Sequence, residues 1–167
     1  MSMYQASVPV FVQMLNALSG ILGKAESFAT EHKVEASVLL NYRLSPDMFP
    51  LARQVQTAAD FAKDATARLA GVEFPKFENT ETSFAELKAR IAKTLDYIGG
   101  FKPAQIDGSE EREVTLTLGG NPVVFKGQPY LMKFVLPNFF FHCTTAYDIA
   151  RHCGVAVGKR DFLGAFR

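Results

Sequence analysis

The residues best suited to chemistry gather in the last third of the chain. Asn138 and His142 stand four apart, and Thr145 follows three residues later. On a helix these spacings share one face. His142 comes directly after Phe139-Phe140-Phe141. In that apolar setting it reads either as a core histidine hydrogen-bonded to another helix or as a ligand-binding or metal-binding residue. Gln54 borders the apolar stripe of an earlier helical segment, with Ala58 and Phe61 as its i+4 and i+7 neighbours. A buried glutamine has to pair its amide. Gln54, Asn138 and His142 are therefore expected to form one internal polar network, with Thr145 on the same pocket face. Amides are poor donors for zinc. With His142 as the only strong metal-ligand candidate, a divalent metal cofactor is disfavoured.

Other polar residues promise less. His142 and His152 are ten apart and point in different directions on a helix. Cys143 lies about 100° around the helix from His142, so the two do not form a nucleophile–base dyad. Cys143 and Cys153, if on one straight helix, are separated by about 15 Å. A disulfide needs Cα atoms within about 7 Å, so both read as free thiols. Asp60 and Asp64 form an i, i+4 acidic pair expected to face solvent. Tyr147, Asp148 and Arg151 read as surface or structural. Gly119-Gly120 marks a turn with no helix following immediately, which rules out a phosphate loop.

These residues need helices to hold them. Val8, Phe11, Val12, Leu15, Leu18, Leu22 and Ala25 recur at helical spacing within a segment from about Tyr4 to Thr30, with Pro9 near its start. A short turn is expected over 35–40, then a loop with Pro46 and Asp47 at its bend. Phe49 to Leu69 carries the stripe Leu51, Val55, Ala58, Ala62, Ala65 and Leu69, stopped by Gly71. Residues 72–82 are irregular. Ser83 with Glu86 three residues on is a capping box, and opens a helix ended by Gly99-Gly100. Alternation over Glu113–Leu118, the break at Gly119-Gly-Asn-Pro122 and the run Val123–Phe125 predict a hairpin that packs on the helices. The last helical region spans 128–152, kinked or split by Pro137. The tail from Gly158 is expected to fold back through Phe162, Leu163 and Phe166. Four amphipathic helices bury their stripes in an up-down bundle.

Composition agrees with one globular domain over residues 1–167. The chain is 48% hydrophobic and 21% charged, with a formal net charge of +1. That balance lacks the concentrated basic face of a nucleic-acid binder. The N-terminal segment has no basic leader, and no run reads as long enough to span a bilayer. A cytoplasmic location without membrane association is the expectation.

The motifs Leu136-Pro-Asn-Phe-Phe-Phe-His142, Thr144-Thr-Ala-Tyr147, Ile149-Ala-Arg-His-Cys-Gly-Val155 and Gly158-Lys-Arg-Asp-Phe-Leu-Gly164 resemble the bacterial family named domain of unknown function 1993. Phe49-Pro-Leu-Ala-Arg-Gln54 is similar to it too. The likeness spans nearly the whole chain. It implies the wider DinB-like and YfiT-like group, whose fold is a four-helix bundle, often a homodimer. That group typically holds a divalent metal with three histidines, one on the second helix and two spaced by four on the last. His142 matches the second of the last-helix pair. Asn138 stands at the first, and Gln54 at the second-helix position. The resemblance thus implies a shared interior pocket with a degenerate metal site, open to a small polar ligand. Two other readings stay open. One is a metal-assisted, thiol-dependent transferase or isomerase; the other is a stress-related binding or regulatory module.

Overall fold

The computed structural model describes residues 2–165. Four long helices build the frame: α1 (Val8–Glu31), α3 (Leu51–Ala70), α4 (Phe84–Gly99) and α7 (Leu136–His152). Between them lie the short helices α2 (Ala36–Leu40), α5 (Pro103–Ile106) and α6 (Gly127–Pro129), with α8 (Lys159–Leu163) closing the chain. α3 packs between α4 and α7, and α1 packs against the same two helices from the other side. The core draws Phe11, Leu15, Leu18 and Leu22 from α1, Leu51, Val55 and Leu69 from α3, Phe84, Leu87 and Ile91 from α4, and Phe139 and Ile149 from α7. Each of these is at most 2% exposed. Ala58, Ala59, Ala62 and Ala65 of α3 are wholly buried, and their small side chains let neighbouring helices come close.

The helix ends follow local chemistry. Ser83 Oγ accepts from the Glu86 amide while Glu86 carboxylate accepts from the Ser83 amide, the reciprocal cap its spacing predicts. α3 stops where Gly71 turns left-handed at φ 72°. α1 begins at Val8 rather than near Tyr4, because residues 3–7 form a turn locked by Ser7 Oγ donating to Met3 O at 2.7 Å. By length and composition α1 is apolar enough to cross a membrane, although no run was expected to be long enough to span a bilayer. Its apolar stripe is spent on the bundle core, since Phe11, Leu15 and Leu22 are fully buried there.

The hairpin is β1 (Glu113–Leu118) paired antiparallel with β2 (Asn121–Lys126), in register from Glu113–Lys126 to Leu118–Asn121. Gly119 and Gly120 both have positive φ, 56° and 84°, as a type I′ turn requires. Val114 is buried, Phe125 packs against Tyr130 and Phe134, and Arg68 Nη1 donates to Thr115 O. A π-helical segment, Tyr130–Val135, joins α6 to α7. Pro137 sits in the first turn of α7. Its ring crowds the preceding turn and its missing amide breaks the ladder, and the wider π turn accommodates both. Pro137 therefore neither splits the helical region nor leaves it regular.

Asp60 and Asp64 depart from the expectation that they face solvent. Both are half-buried against cations. Arg90 Nη2 lies 2.8 Å from Asp60 Oδ1, and Lys63 Nζ lies 2.9 Å from Asp64 Oδ1. The Lys63 and Arg90 side chains are only 3% and 2% exposed. Buried cations need carboxylate partners, which draws the aspartates inward. These cations also clasp the irregular segment 72–82, with Lys63 Nζ donating to Pro75 O and Arg90 Nη1 to Glu78 O. The C-terminal segment does return to the bundle. Phe162 meets Tyr147 edge-on, and Gln13 Nε2 donates to Leu163 O at 2.8 Å. Phe166 lies outside the described residues.

Candidate ligand site at His142

The site forms where the start of α3 meets α7. A loop leads into α3 and is tied to itself, with Arg43 Nη1 donating to Met48 O and the Leu51 amide donating to Tyr42 O. It delivers Asp47, Met48 and Phe49 to one cavity of about 240 Å³, whose other walls are Gln54, Phe141 and His142. The ring of His142 stacks near Phe61 at 5.7 Å and Phe49 at 6.3 Å, and meets Phe141 edge-on.

One chain of hydrogen bonds orders the polar groups. Gln54 Nε2 donates to Phe49 O at 3.0 Å, and Gln54 Oε1 lies 2.7 Å from His142 Nδ1. The Phe49 carbonyl can only accept, so the Gln54 amide nitrogen must face it. The Gln54 oxygen then faces His142, and Nδ1 must carry the proton. Burial, aided by the Arg53 charge, pushes the His142 pKa below its ordinary value. The outcome is a neutral imidazole with a bare Nε2, an acceptor or base that no described protein group engages.

The structure brings together two of the four residues singled out from the sequence. Gln54 and His142 bond directly. Asn138 does not join them, because its Nδ2 donates to Phe134 O, one turn back, at 2.7 Å. That carbonyl is within reach without leaving the helix, and such local bonds compete well with longer-range ones. Thr145 is buried beside His142 on α7 but does not line the cavity. Asp47, Met48 and Phe141 line it and were not expected to. The loop residues carry no periodicity that would have revealed them, although Phe49 stood within the motif that suggested the family.

A three-histidine metal centre does not fit these residues. Among the described residues no group of three or more His, Cys, Asp or Glu side chains could share a metal ion. His142 has committed Nδ1 to Gln54, which leaves one imidazole donor. Asp47, held below the usual carboxylate range by its bond from Ser45, is the only other strong donor on the cavity. The thiols are no substitute. Both cysteines are free, and burial raises the pKa of each, far up for Cys143, which keeps them protonated and poorly nucleophilic.

Four long helices, a hairpin ahead of the last one and a polar pair between α3 and α7 define a DinB-like bundle. The chain belongs to the family described as "Domain of unknown function (DUF1993)", which matches residues 3–163. It is similar to a DinB family member protein from Shewanella denitrificans known from its crystal structure, with 43% sequence identity and a TM-score of 0.88. That alignment covers 98% of this chain and 92% of the other. No match is found among curated proteins.

Proposed function

We propose that this bundle binds a small polar ligand at the His142 cavity, and that the ligand donates a hydrogen bond to His142 Nε2. The observation that carries the proposal is the relay from Phe49 O through Gln54 to Nδ1, which fixes the tautomer of a cavity-lining histidine and leaves Nε2 without a described partner. Aromatic walls with few, oriented polar groups are the usual make-up of a small-molecule site. The same relay argues against a tightly held transition metal, because one imidazole and one carboxylate supply too few donors. Elemental analysis of untagged protein is expected to find zinc and nickel far below one per chain. Near-stoichiometric metal that disappears in His142→Ala would overturn this reading and favour metal-assisted transferase or isomerase chemistry instead.

We further propose that the chain forms a homodimer in the cytoplasm. Phe49, Met132, Phe140 and Phe141 stand 37–54% exposed, large apolar side chains of the kind that a partner surface covers. Two free thiols suit a reducing compartment. Sedimentation at micromolar concentration is expected to give twice the chain mass, and a monomer throughout that range would remove the dimer.

A further inference from the structure

A second cavity, of about 140 Å³, opens farther along α3, beneath the hairpin and the π-helical segment. Asp60, Asp64 and Arg68 line it from α3, Leu116 from β1, and Tyr130 and Phe134 from the π turn. Thr57 and Phe61 line it too, and Phe61 stacks on His142, so the two cavities adjoin through that ring.

Three observations there point to a ligand. First, Asp64 and Arg68 stand one helical turn apart, in the order and spacing at which such a pair normally closes. They do not pair. Arg68 Nη1 donates to Thr115 O at 3.3 Å, its guanidinium lies over Phe74 at 4.9 Å, and among the described residues no carboxylate forms an ion pair with it. Asp64 Oδ1 is buried and lies 2.9 Å from Lys63 Nζ as an ion pair without hydrogen-bond geometry, and Oδ2 engages no described donor. An unpaired cation and a free carboxylate oxygen thus border one small space. Second, Tyr130 is 3% exposed and lines the cavity, and its hydroxyl hydrogen-bonds to no described protein group, which leaves it available to a ligand there. Burial pushes the phenol pKa well up, so the group remains a donor. Third, π turns are rare and concentrate at functional sites, and this one supplies both Tyr130 and Phe134.

We propose that this cavity binds a small aliphatic α-amino acid as its zwitterion. The ammonium group sits on Asp64 Oδ2, the carboxylate on the Arg68 guanidinium and the Tyr130 hydroxyl, and the side chain lies against Leu116 and Phe134. The local charges favour a ligand that carries both signs. Lys63, Arg68 and Arg90 are matched by Asp60, Asp64 and Glu81. A lone ammonium would add to a balanced cluster and leave Arg68 unpaired. A lone carboxylate would satisfy Arg68 but lie against Asp60 and Asp64. A zwitterion places its carboxylate beside Arg68, which has no described ion-pair partner, and its ammonium beside the open oxygen of Asp64. The volume equals that of about five water molecules, room for a small amino acid and little more.

Calorimetric titration of the full chain at neutral pH tests this with three probes: valine, isobutylamine and 3-methylbutanoate. The last two are valine without its carboxylate and without its ammonium group. Valine is expected to bind, and each analogue to bind at least tenfold more weakly. Arg68→Gln and Tyr130→Phe are each expected to weaken valine by about tenfold, the loss of one hydrogen bond to a charged group. Tyr130→Phe removes only an oxygen and keeps the test valid should Arg68→Gln fold poorly. No heat from valine at millimolar concentration would overturn the proposal. So would equal binding of either analogue, or unchanged valine affinity in Tyr130→Phe.

Discussion

Replacing Arg90 with alanine is expected to lower the unfolding free energy by about 3–5 kcal/mol, the usual cost of removing one partner from a buried ionic network. Arg90 is 4% exposed. It lies 2.8 Å from Asp60 Oδ1 and 2.9 Å from Glu81 Oε1, and it donates to Glu78 O at 2.9 Å. Its loss leaves Glu81, whose side chain is 13% exposed, with only the Gln56 amide as a described partner. Asp60 keeps only Lys63, at 3.6 Å. The segment 72–82 would also lose its clasp on α4, together with the contact of the guanidinium with the Phe77 ring. Urea denaturation should show the midpoint moving sharply down. Because the pair is buried, the loss should change little between low and moderate salt. A loss under about 1 kcal/mol would be that of a surface ion pair and would contradict the buried placement.

Phe139→Ala is expected to cost a comparable 3–5 kcal/mol, for a different reason. Phe139 is wholly buried and meets Phe11 edge-on at 4.9 Å, so truncation opens a hole between α7 and α1. Phe141, two residues on, is 54% exposed at the rim of the His142 cavity. Phe141→Ala is expected to change stability by no more than about 0.5 kcal/mol, as substitutions away from the core do. The contrast fixes the rotation of α7 about its axis, on which the inward aim of His142 depends. Equal losses in the two variants would mean that α7 is turned differently.

How much of this was legible from the residues depended on the range of the interactions. The bundle helices could be read because their apolar stripes repeat at 3.6-residue spacing, and the caps could be read because Ser83 and Glu86 act on their own turn. The hairpin was marked by two adjacent glycines that both adopt positive φ. The burial of Lys63 and Arg90 could not be read that way. Charged residues on a helix default to a solvated face, and only the phenylalanines of the irregular segment, Phe74 and Phe77, hinted that something apolar lay across them. The π turn was half visible. Pro137 announced a disturbance but did not say which of several backbone solutions would absorb it.

The candidate site divides along the same line. Helical spacing puts Asn138 and His142 on one face, yet spacing cannot choose between a partner on another helix and a carbonyl on the same one. Asn138 took the carbonyl of Phe134. The Gln54–His142 bond depends on how two helices pack, and the Phe49 carbonyl that orients Gln54 belongs to a loop with no periodic signal. The cavity walls Asp47 and Met48 share that origin.

Gln54 holds His142 neutral, with its proton on Nδ1 and Nε2 bare. Two-bond proton–nitrogen correlation NMR of the imidazole, followed through a pH titration, measures this directly. The native protein is expected to show the Nδ1–H tautomer at pH 7 and a protonation midpoint below the ordinary histidine value of about 6.5. The sign follows from burial and the Arg53 charge, both of which disfavour the imidazolium ion. Gln54→Leu removes the acceptor and should release the proton toward Nε2. A native Nε2–H tautomer, or a His142 still charged at pH 7, would contradict the account.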